Sequence, residues 1–195
     1  MGSFLKSEPA RARGAVQELS FEPNIVESYR DFQAPENFRT TIETLLRYVP
    51  RRYLVGLKTV VLTNRAGLTT DQRKRKVWSR NRKVRLADTR GAYSYQSNSS
   101  PATVWLYVDS ICSTEPSWWR KVPLLRYMVP SDVLYHEIGH HIHAVHEPTY
   151  QQREDIANCW RRELWRQFLR KRYWYLFPVL KVFAYLMSPI IKRAE

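Results

Sequence analysis

The sequence predicts a single α+β domain with a small, mainly antiparallel sheet. The chain has 195 residues, of which 44% are hydrophobic and 13% aromatic, enough for one hydrophobic core and too few for two generous ones. One helical segment comes first, short strand-like segments follow, and two long helical runs come after them. The domain is predicted to span residues 35–195. Residues 1–34 mix Pro, Arg, Glu and Ser without periodicity and are predicted to form a tail or arm.

The first elements of the domain are one helix and three strands. Residues 35–50 place apolar side chains on roughly one helix face between two prolines, which predicts an amphipathic helix. Residues 53–64 and 103–111 are rich in β-branched residues, which favour strands. Residues 91–96 are predicted to pair with the second of these strands, because the intervening QSNSSP has the composition of a hairpin loop.

Two helices are predicted to follow as an antiparallel pair. The segment PSDVLYHEIGHHIHAVHEP begins with Ser131 or Asp132 as a helix cap and ends at Pro148. Residues 150–172 form a second helical run. The connection between the two runs is too short for any arrangement other than an antiparallel pair.

The segment YWYLFPVLKVFAYLMSPII, residues 173–191, is nearly continuous in apolar and aromatic residues. A membrane span needs about 20 apolar residues, but this segment has Lys181 near its centre and two prolines. We therefore predict an apolar C-terminal helix that packs on the helix pair, and no firm transmembrane span. The alternative is an interfacial segment with its aromatic rings at the depth of the lipid headgroups.

All five histidines of the chain lie between residues 136 and 147, in the stretch HEIGHHIHAVHE. On a helix, His136 and His140 lie one turn apart on the same face and can bind one metal ion. With Glu137 they complete HExxH, in which two imidazoles bind zinc and the glutamate accepts a proton from the water that zinc acidifies. Polar residues on a solvated helix face can match the motif HExxH by chance. The presence of a third metal ligand therefore decides between a metal site and a solvated helix face.

Two residues are candidates for the third ligand that a catalytic zinc requires. Glu154 lies about four residues into the second helix, so in an antiparallel pair it comes nearly level with the two histidines. Asn158 follows one turn later on the same face and can hydrogen-bond a ligand histidine. His146 is the alternative ligand, but the motif in which it would serve has glycine at position 143, and this chain has histidine there.

The motif HEIGH, followed by EDIAN with its pattern E-x-x-A-N, resembles gluzincins, in particular the small ImmA-like peptidases and minigluzincins, and also the membrane-bound HtpX-like enzymes. The resemblance covers about residues 100–170. It implies a zincin-like fold, zinc as the cofactor and a protein or peptide as the substrate. It also implies that residues 103–109 form an edge strand that binds the substrate backbone. Many relatives have Asp at the position of Asn158.

The two other histidines in the middle of the cluster are expected not to bind the metal. His141 points about 140° away from His136 around a helix, which favours packing or solvation. His143 nearly faces the site, so contact with a substrate is an alternative, but a packed or solvated histidine is the commoner outcome.

The formal charge of +14 favours an anionic partner. Residues 73–90 contain nine basic residues and only Asp88 as an acid, and Trp78 is available to stack on a base. Nucleic acid or an acidic membrane surface is therefore a candidate partner of this segment. The alternative is a solvated loop between strands that binds nothing, since no nucleic-acid-binding motif accompanies it.

These features predict an intracellular zinc metalloendopeptidase of the HExxH gluzincin type. Two cysteines cannot build a disulfide framework or a cysteine zinc knuckle, and the N-terminus lacks the apolar region of a secretory signal, so a cytoplasmic protein is expected, with peripheral membrane attachment as an option. Two other classes stay open. One is a zinc-binding regulatory domain without turnover, and the other is a basic protein that binds nucleic acid or a membrane surface.

Overall fold

The structure is a computed structural model that describes residues 22–74, 76–79, 82–94, 101–114, 116–146 and 154–175. It contains helices and a small mixed sheet, which confirms the α+β class. The helices are α1 (Phe38–Arg47), α2 (Thr70–Lys74), α3 (Val108–Cys112), α4 (Leu125–His146) and α5 (Glu154–Arg172). The strands are β1 (Asn24–Ser28), β2 (Leu57–Thr63), β3 (Lys76–Ser79), β4 (Arg82–Arg85), β5 (Gly91–Ser94) and β6 (Ala102–Tyr107).

The main sheet has four strands in the order β1-β2-β6-β5. β1 and β6 both run parallel to β2, and only β5 is antiparallel to its neighbour β6. The expectation of a mainly antiparallel sheet is therefore wrong for these four strands. The reason lies in the connections, because α1 links β1 to β2, and β3, β4 and β5 lie between β2 and β6 in the chain. Connections of this length return the chain in its original direction.

The strand β1 lies inside the segment that was predicted to be a tail. Side chains at the end of β2 and directly after it hold β1 in place: the Thr63 hydroxyl donates to the carbonyl of Ser28 at 2.7 Å. The Asn64 side chain accepts from the N–H of Arg30 at 2.9 Å and donates to its carbonyl at 2.7 Å. Residues 24–28 are mostly exposed. Their sequence lacks the alternation of apolar and polar residues by which a half-buried strand is recognised, which is why the strand was not predicted.

The predicted pairing of residues 91–96 with the following strand is confirmed by β5 and β6, with Tyr93 opposite Val104. The strand predicted over residues 103–111 is shorter than expected, because the chain turns into α3 after Tyr107. The strand predicted over residues 53–64 begins at Leu57, after a 3-10 turn.

The helix α4 lies at the centre of the core and packs against α1, α5, β5 and β6. The hydroxyl of Tyr135 donates to the carbonyl of Leu45 at 3.1 Å, which joins α4 to α1 inside the core. Tertiary packing of this kind supplies most of the stability of a helix in a protein. The apolar residues that α4 buries are Tyr127, Val133, Leu134, Tyr135, Ile138 and Ile142.

The start of α4 differs from the prediction. The helix begins at Leu125 and includes Pro130, so neither Ser131 nor Asp132 is its N-cap. The Ser131 hydroxyl instead donates to the carbonyl of Met128 at 2.9 Å, within the helix. Serine and aspartate are favoured N-cap residues, which is why the sequence predicted a boundary there. Contacts between the first turns of α4 and the end of α5 extend the helix beyond that boundary.

The helices α4 and α5 form the antiparallel pair that the sequence predicts. Arg161 of α5 forms an ion pair with Asp132 of α4. Further along α5, Phe168 contacts Tyr127, with ring centroids 5.1 Å apart, and Tyr127 lies earlier in α4. Later residues of α5 thus meet earlier residues of α4, as an antiparallel pair requires.

The basic segment 73–90 contains regular structure that the sequence did not predict. β3 and β4 form an antiparallel pair, with Lys76 opposite Arg85 and Val77 opposite Val84. The expectation of a loop is therefore wrong for the residues of these strands. The many cations hide the alternation of apolar and polar residues by which a strand is recognised in a sequence.

Several predicted features lie outside the described residues: most of the N-terminal tail (1–21), most of the QSNSSP turn (95–100) and the C-terminal helix beyond Tyr175. Among the residues that are described, no helix combines the length and the apolar character needed to cross a bilayer.

Candidate metal centre

The predicted ligands His136, His140 and Glu154 lie together between α4 and α5. Their donor atoms all lie within 4.8 Å of one another. The two Nε2 atoms of the histidines are 3.2 Å apart. One carboxylate oxygen of Glu154 lies 3.3 Å from His136 Nε2, and the other lies 3.6 Å from His140 Nε2.

These spacings fit a tetrahedral zinc site. Zinc bonds to nitrogen and oxygen are about 2.0–2.1 Å long, so neighbouring donors of a tetrahedral ion lie about 3.3 Å apart. The separation of the two Nε2 atoms, 3.2 Å, and the two carboxylate distances, 3.3 and 3.6 Å, are each close to that value, with the carboxylate distances measured to different oxygens of Glu154. Two imidazoles and a carboxylate are also a donor set that catalytic zinc uses, with the fourth position left open. The residues therefore fit the ion that the motif predicts.

The close approach of the two helices at Gly139 brings the ligands together. A Cβ atom at this position would lie 2.7 Å from the carbonyl oxygen and 2.9 Å from the Cα atom of Ala157. The backbone of α5 therefore passes directly over Gly139, which lies between the two ligand histidines. Ala157 lies one turn after Glu154, so this contact sets the height of the carboxylate above the histidines.

Glu137 is buried, with 7% of its surface exposed, and faces the start of β5. Gly91 makes room for it, because a Cβ atom there would lie 3.0 Å from Glu137 Oε1 and 2.7 Å from a methyl carbon of Val133. Burial raises the pKa of Glu137 from 4.5 to about 7; the His136 charge lowers it, and the Glu154 charge raises it. This carboxyl group therefore exchanges its proton near neutral pH.

The two ligand histidines have opposite pKa shifts. Burial lowers the pKa of His136, but the hydrogen bond with Glu154 and the charges of Glu137 and Glu154 outweigh burial, so that the pKa is raised. Burial and the neighbouring His136 lower the pKa of His140 to about 4. His136 therefore accepts a proton more readily than an ordinary histidine, and His140 less readily.

His141 packs in the core, as predicted, and joins α4 to two other parts of the chain. Its Nε2 atom lies 3.0 Å from the carbonyl of Val55, and its Nδ1 atom lies 3.0 Å from the hydroxyl of Tyr93 on β5. Because a carbonyl only accepts, Nε2 carries the proton, and Nδ1 accepts from Tyr93. The bond to Tyr93 holds β5 against the helix that carries the metal ligands.

His143 is not a member of the cluster of possible donors. It is buried, as expected of a packed histidine, and lies near enough to His140 for its charge to lower the pKa of that ring. His146 is the last residue of α4, and the helix is continuous up to it. A continuous helix carries His146 about 9 Å along the axis beyond His140, away from the ligands. Among the described residues the third donor is Glu154.

Asn158 lies on α5, half-buried, one turn after Glu154. The predicted hydrogen bond to a ligand histidine is not found among the described residues. The buried Nδ1 atom of His140 likewise has no hydrogen-bond partner in that part of the chain.

The predicted substrate-binding strand is placed differently from the expectation. β6 contains most of residues 103–109 and lies between β2 and β5, so it is not an edge strand. Within the described sheet the edge beside Glu137 is β5. Sequence reasoning missed Gly91, Gly139 and Tyr93, because their roles depend on contacts with residues far away in the chain.

Comparisons of the chain with protein-family models, curated proteins and solved structures find no match. The resemblance to gluzincins therefore rests on the two short motifs HEIGH and EDIAN alone. These motifs supply all three donors of the cluster, because the first contributes His136 and His140 and the second contributes Glu154.

Proposed function

We propose that the chain is a zinc-dependent metallopeptidase of the gluzincin type. The observation that carries the proposal is the convergence of His136, His140 and Glu154 at separations of 3.2–3.6 Å, with Glu137 buried beside them. Chance HExxH sequences on a solvated helix face have no reason to meet a carboxylate from a second helix. Here the helix pair is built to bring one there, through the contact at Gly139.

Each residue has a separate role in the proposed reaction. His136, His140 and Glu154 hold the zinc ion, which when bound polarises water and the substrate carbonyl. Glu137 accepts the proton of the attacking water and donates it to the leaving amine. A carboxyl group with a pKa of about 7 in the metal-free site can both accept and donate at neutral pH. A bound cation would favour the ionised form of this carboxyl group, which is the form that accepts a proton.

The outer edge of β5 is the proposed binding site for the substrate backbone. β5 starts beside Glu137 at Gly91 and is held on α4 by the bond between Tyr93 and His141. An extended peptide that pairs with a sheet edge forms backbone hydrogen bonds that do not depend on its side chains. On this edge the scissile bond would lie next to the catalytic glutamate.

The test compares zinc-loaded wild type with Glu137→Gln and with Glu163→Gln on α5 as the matched control. The substrates are labelled unfolded casein and a peptide library, and cleavage is read by mass spectrometry. Loss of a general acid-base group lowers the rate by about 10²–10⁴. We expect this loss in Glu137→Gln with the zinc content unchanged, and no loss in Glu163→Gln.

Two results would overturn the proposal. Cleavage by Glu137→Gln at the wild-type rate would remove the glutamate from the reaction. A wild-type protein that binds zinc and cleaves none of the offered peptide bonds would support the zinc-binding domain without turnover instead.

A further inference from the structure

A second surface lies at the opposite end of the α4–α5 pair from the connection between these helices. Large apolar side chains are exposed there: Trp118 is 56% exposed, Trp174 69% and Tyr175 54%. Val122 and Met128 are exposed at the same end. An isolated exposed apolar residue is ordinary, but a group of five at one end of a domain marks an interaction site. We call these five residues the apolar end.

Tyr173 ties the two halves of the apolar end together. Its hydroxyl donates to the carbonyl of Pro123 at 2.9 Å, so the chain after α5 lies against the chain before α4. Tyr173 also contacts Phe168 of α5, with ring centroids 6.0 Å apart. Trp174 and Tyr175 directly follow this contact in the chain, and Trp118 lies in the 3-10 turn Ser117–Lys121, shortly before Pro123.

The charges around the apolar end are mostly positive. The two stretches that build it, residues 116–131 and 168–175, contain six basic residues and no acidic residue, and the acids Glu115 and Asp132 flank the first stretch. Asp132 is paired with Arg161. With Glu115 counted against the six cations, an anionic partner would meet a net charge of +5 from this part of the chain. The six cations are Arg120, Lys121, Arg126, Arg170, Lys171 and Arg172.

We propose that the apolar end docks the protein onto an anionic lipid bilayer. Exposed Trp and Tyr rings favour the interface between water and lipid, where their apolar bodies and polar atoms are both accommodated. Val122 and Met128 are aliphatic and cannot stack on bases, which favours a lipid surface over a nucleic acid. The surrounding Lys and Arg side chains match the negative headgroups.

The docked orientation also places the metal centre. α4 rises about 1.5 Å per residue, so His136 lies about 17 Å along the helix axis from Leu125 at the apolar end. With the apolar end against the bilayer, the metal centre thus lies on the part of the helix pair away from the lipid headgroups. The docking itself does not depend on zinc or on peptidase activity.

Co-sedimentation of the full chain with lipid vesicles tests the proposal. The vesicles are phosphatidylcholine with and without phosphatidylserine. We expect binding to the anionic vesicles only, and binding that weakens as salt is added. The double variants Trp118→Ser/Trp174→Ser and Arg170→Glu/Lys171→Glu should each lower the partition coefficient at least about tenfold. The first removes two aromatic rings from the interface between water and lipid. The second removes two basic residues, each of which contributes about 1 kcal/mol near the surface.

Matched controls lie elsewhere on the molecule. Val145→Ser changes an exposed apolar residue at the other end of α4, and Lys58→Glu/Arg65→Glu reverses two exposed cations at the sheet. Both should bind as wild type does. All variants are first checked for unchanged zinc content and melting temperature. A paired variant that melts lower is replaced by its single substitutions.

Three results would overturn the proposal. The first is a wild-type protein that ignores anionic vesicles at low salt. The second is binding that the controls reduce as much as the variants of the apolar end. The third is a wild-type dimer that Trp118→Ser/Trp174→Ser dissociates while vesicle binding is unchanged, which would assign the apolar end to a second copy of the chain.

Discussion

The metal centre and the apolar end occupy the same pair of helices but expose opposite kinds of side chain. At the metal centre, polar and ionisable groups are buried: Glu137, His140 and His141 are all nearly inaccessible to water. At the apolar end, Trp118 and Trp174 are largely exposed. Buried ionisable groups are unfavourable unless they are paired or bind a metal, and exposed apolar rings are unfavourable unless something covers them.

The comparison teaches which kind of partner each region suits. A cation at the metal centre would neutralise the buried carboxylate of Glu154 and bind the two imidazoles. A lipid bilayer bound at the apolar end would remove the aromatic rings from water. The helices α4 and α5 are stable elements in between, held by Tyr135, Phe168 and the Asp132–Arg161 ion pair.

The largest effect on stability is expected from Glu137→Gln in the metal-free protein. The pKa of Glu137 is raised from 4.5 to about 7 in the folded state. Between these values the folded protein holds a proton that the unfolded chain has lost, so the stability of wild type falls as the pH rises. The glutamine side chain of the variant does not titrate. The excess stability of the variant should grow from near zero at pH 4.5 to about 3 kcal/mol at pH 8.

Urea unfolding of wild type and Glu137→Gln in chelator, repeated across this pH range, measures that difference. A constant difference between the two proteins at every pH would show that burial does not raise the pKa of Glu137. Glu163→Gln is the control and should give no trend.

The next largest effect is expected from Gly139→Ala. The added methyl group meets the backbone of Ala157 at 2.7 Å, and neither backbone can move without separating the helices. Overpacking of this kind is unfavourable by about 1–3 kcal/mol, and the better helix propensity of alanine offsets about 1 kcal/mol of it. We expect a net loss of about 1 kcal/mol in the free energy of unfolding and weaker zinc binding.

Isothermal titration with zinc and urea unfolding measure the two parts of this prediction. An alanine variant that is more stable than wild type and binds zinc equally well would show that α5 does not approach Gly139 as closely as described.

A smaller effect is expected from Tyr93→Phe. The substitution removes the donor to His141 Nδ1 and leaves that buried nitrogen without this hydrogen bond. The free energy of unfolding should fall by about 1 kcal/mol, measured by urea unfolding. Zinc affinity should stay unchanged, because His141 is not a ligand. Tyr175→Phe, at an exposed tyrosine, is the control and should have no effect.

The smallest effect is expected from Trp174→Ser at the apolar end. Because 69% of this side chain is already exposed, folding gains little from it, and the free energy of unfolding in the absence of lipid should change by no more than about 0.5 kcal/mol. Thermal unfolding checks this. A loss of several kcal/mol would mean that Trp174 belongs to the core, and the contrast between the two ends would disappear.

The convergence of His136, His140 and Glu154 could be predicted from the sequence because it depends on local rules. Two histidines four residues apart must share a helix face, and a short connection must return the chain beside it. Glu154 could therefore be placed level with the histidines by counting residues. The pairing of β5 with β6 was predicted for the same reason, since only a short turn separates them.

The features that the sequence did not predict depend on contacts between distant residues. β1 is held by Thr63 and Asn64, which lie more than thirty residues away. The early start of α4 depends on α5, and the tight contacts at Gly91 and Gly139 depend on the elements that cover them. No local pattern distinguishes a glycine that permits a close approach from one in an ordinary position.

The central claim, that two histidines of α4 and a glutamate of α5 bind one zinc ion, is tested most directly by zinc titration of wild type, Glu154→Ala, His146→Ala and the control Glu163→Ala. Wild type should bind one zinc ion per chain. Loss of a residue that hydrogen-bonds to a metal ligand lowers metal affinity about 10–100-fold. Loss of a ligand itself should therefore lower the affinity at least about 100-fold. We predict that loss for Glu154→Ala alone among these variants. Wild-type affinity in Glu154→Ala, or a loss in His146→Ala instead, would contradict the claim.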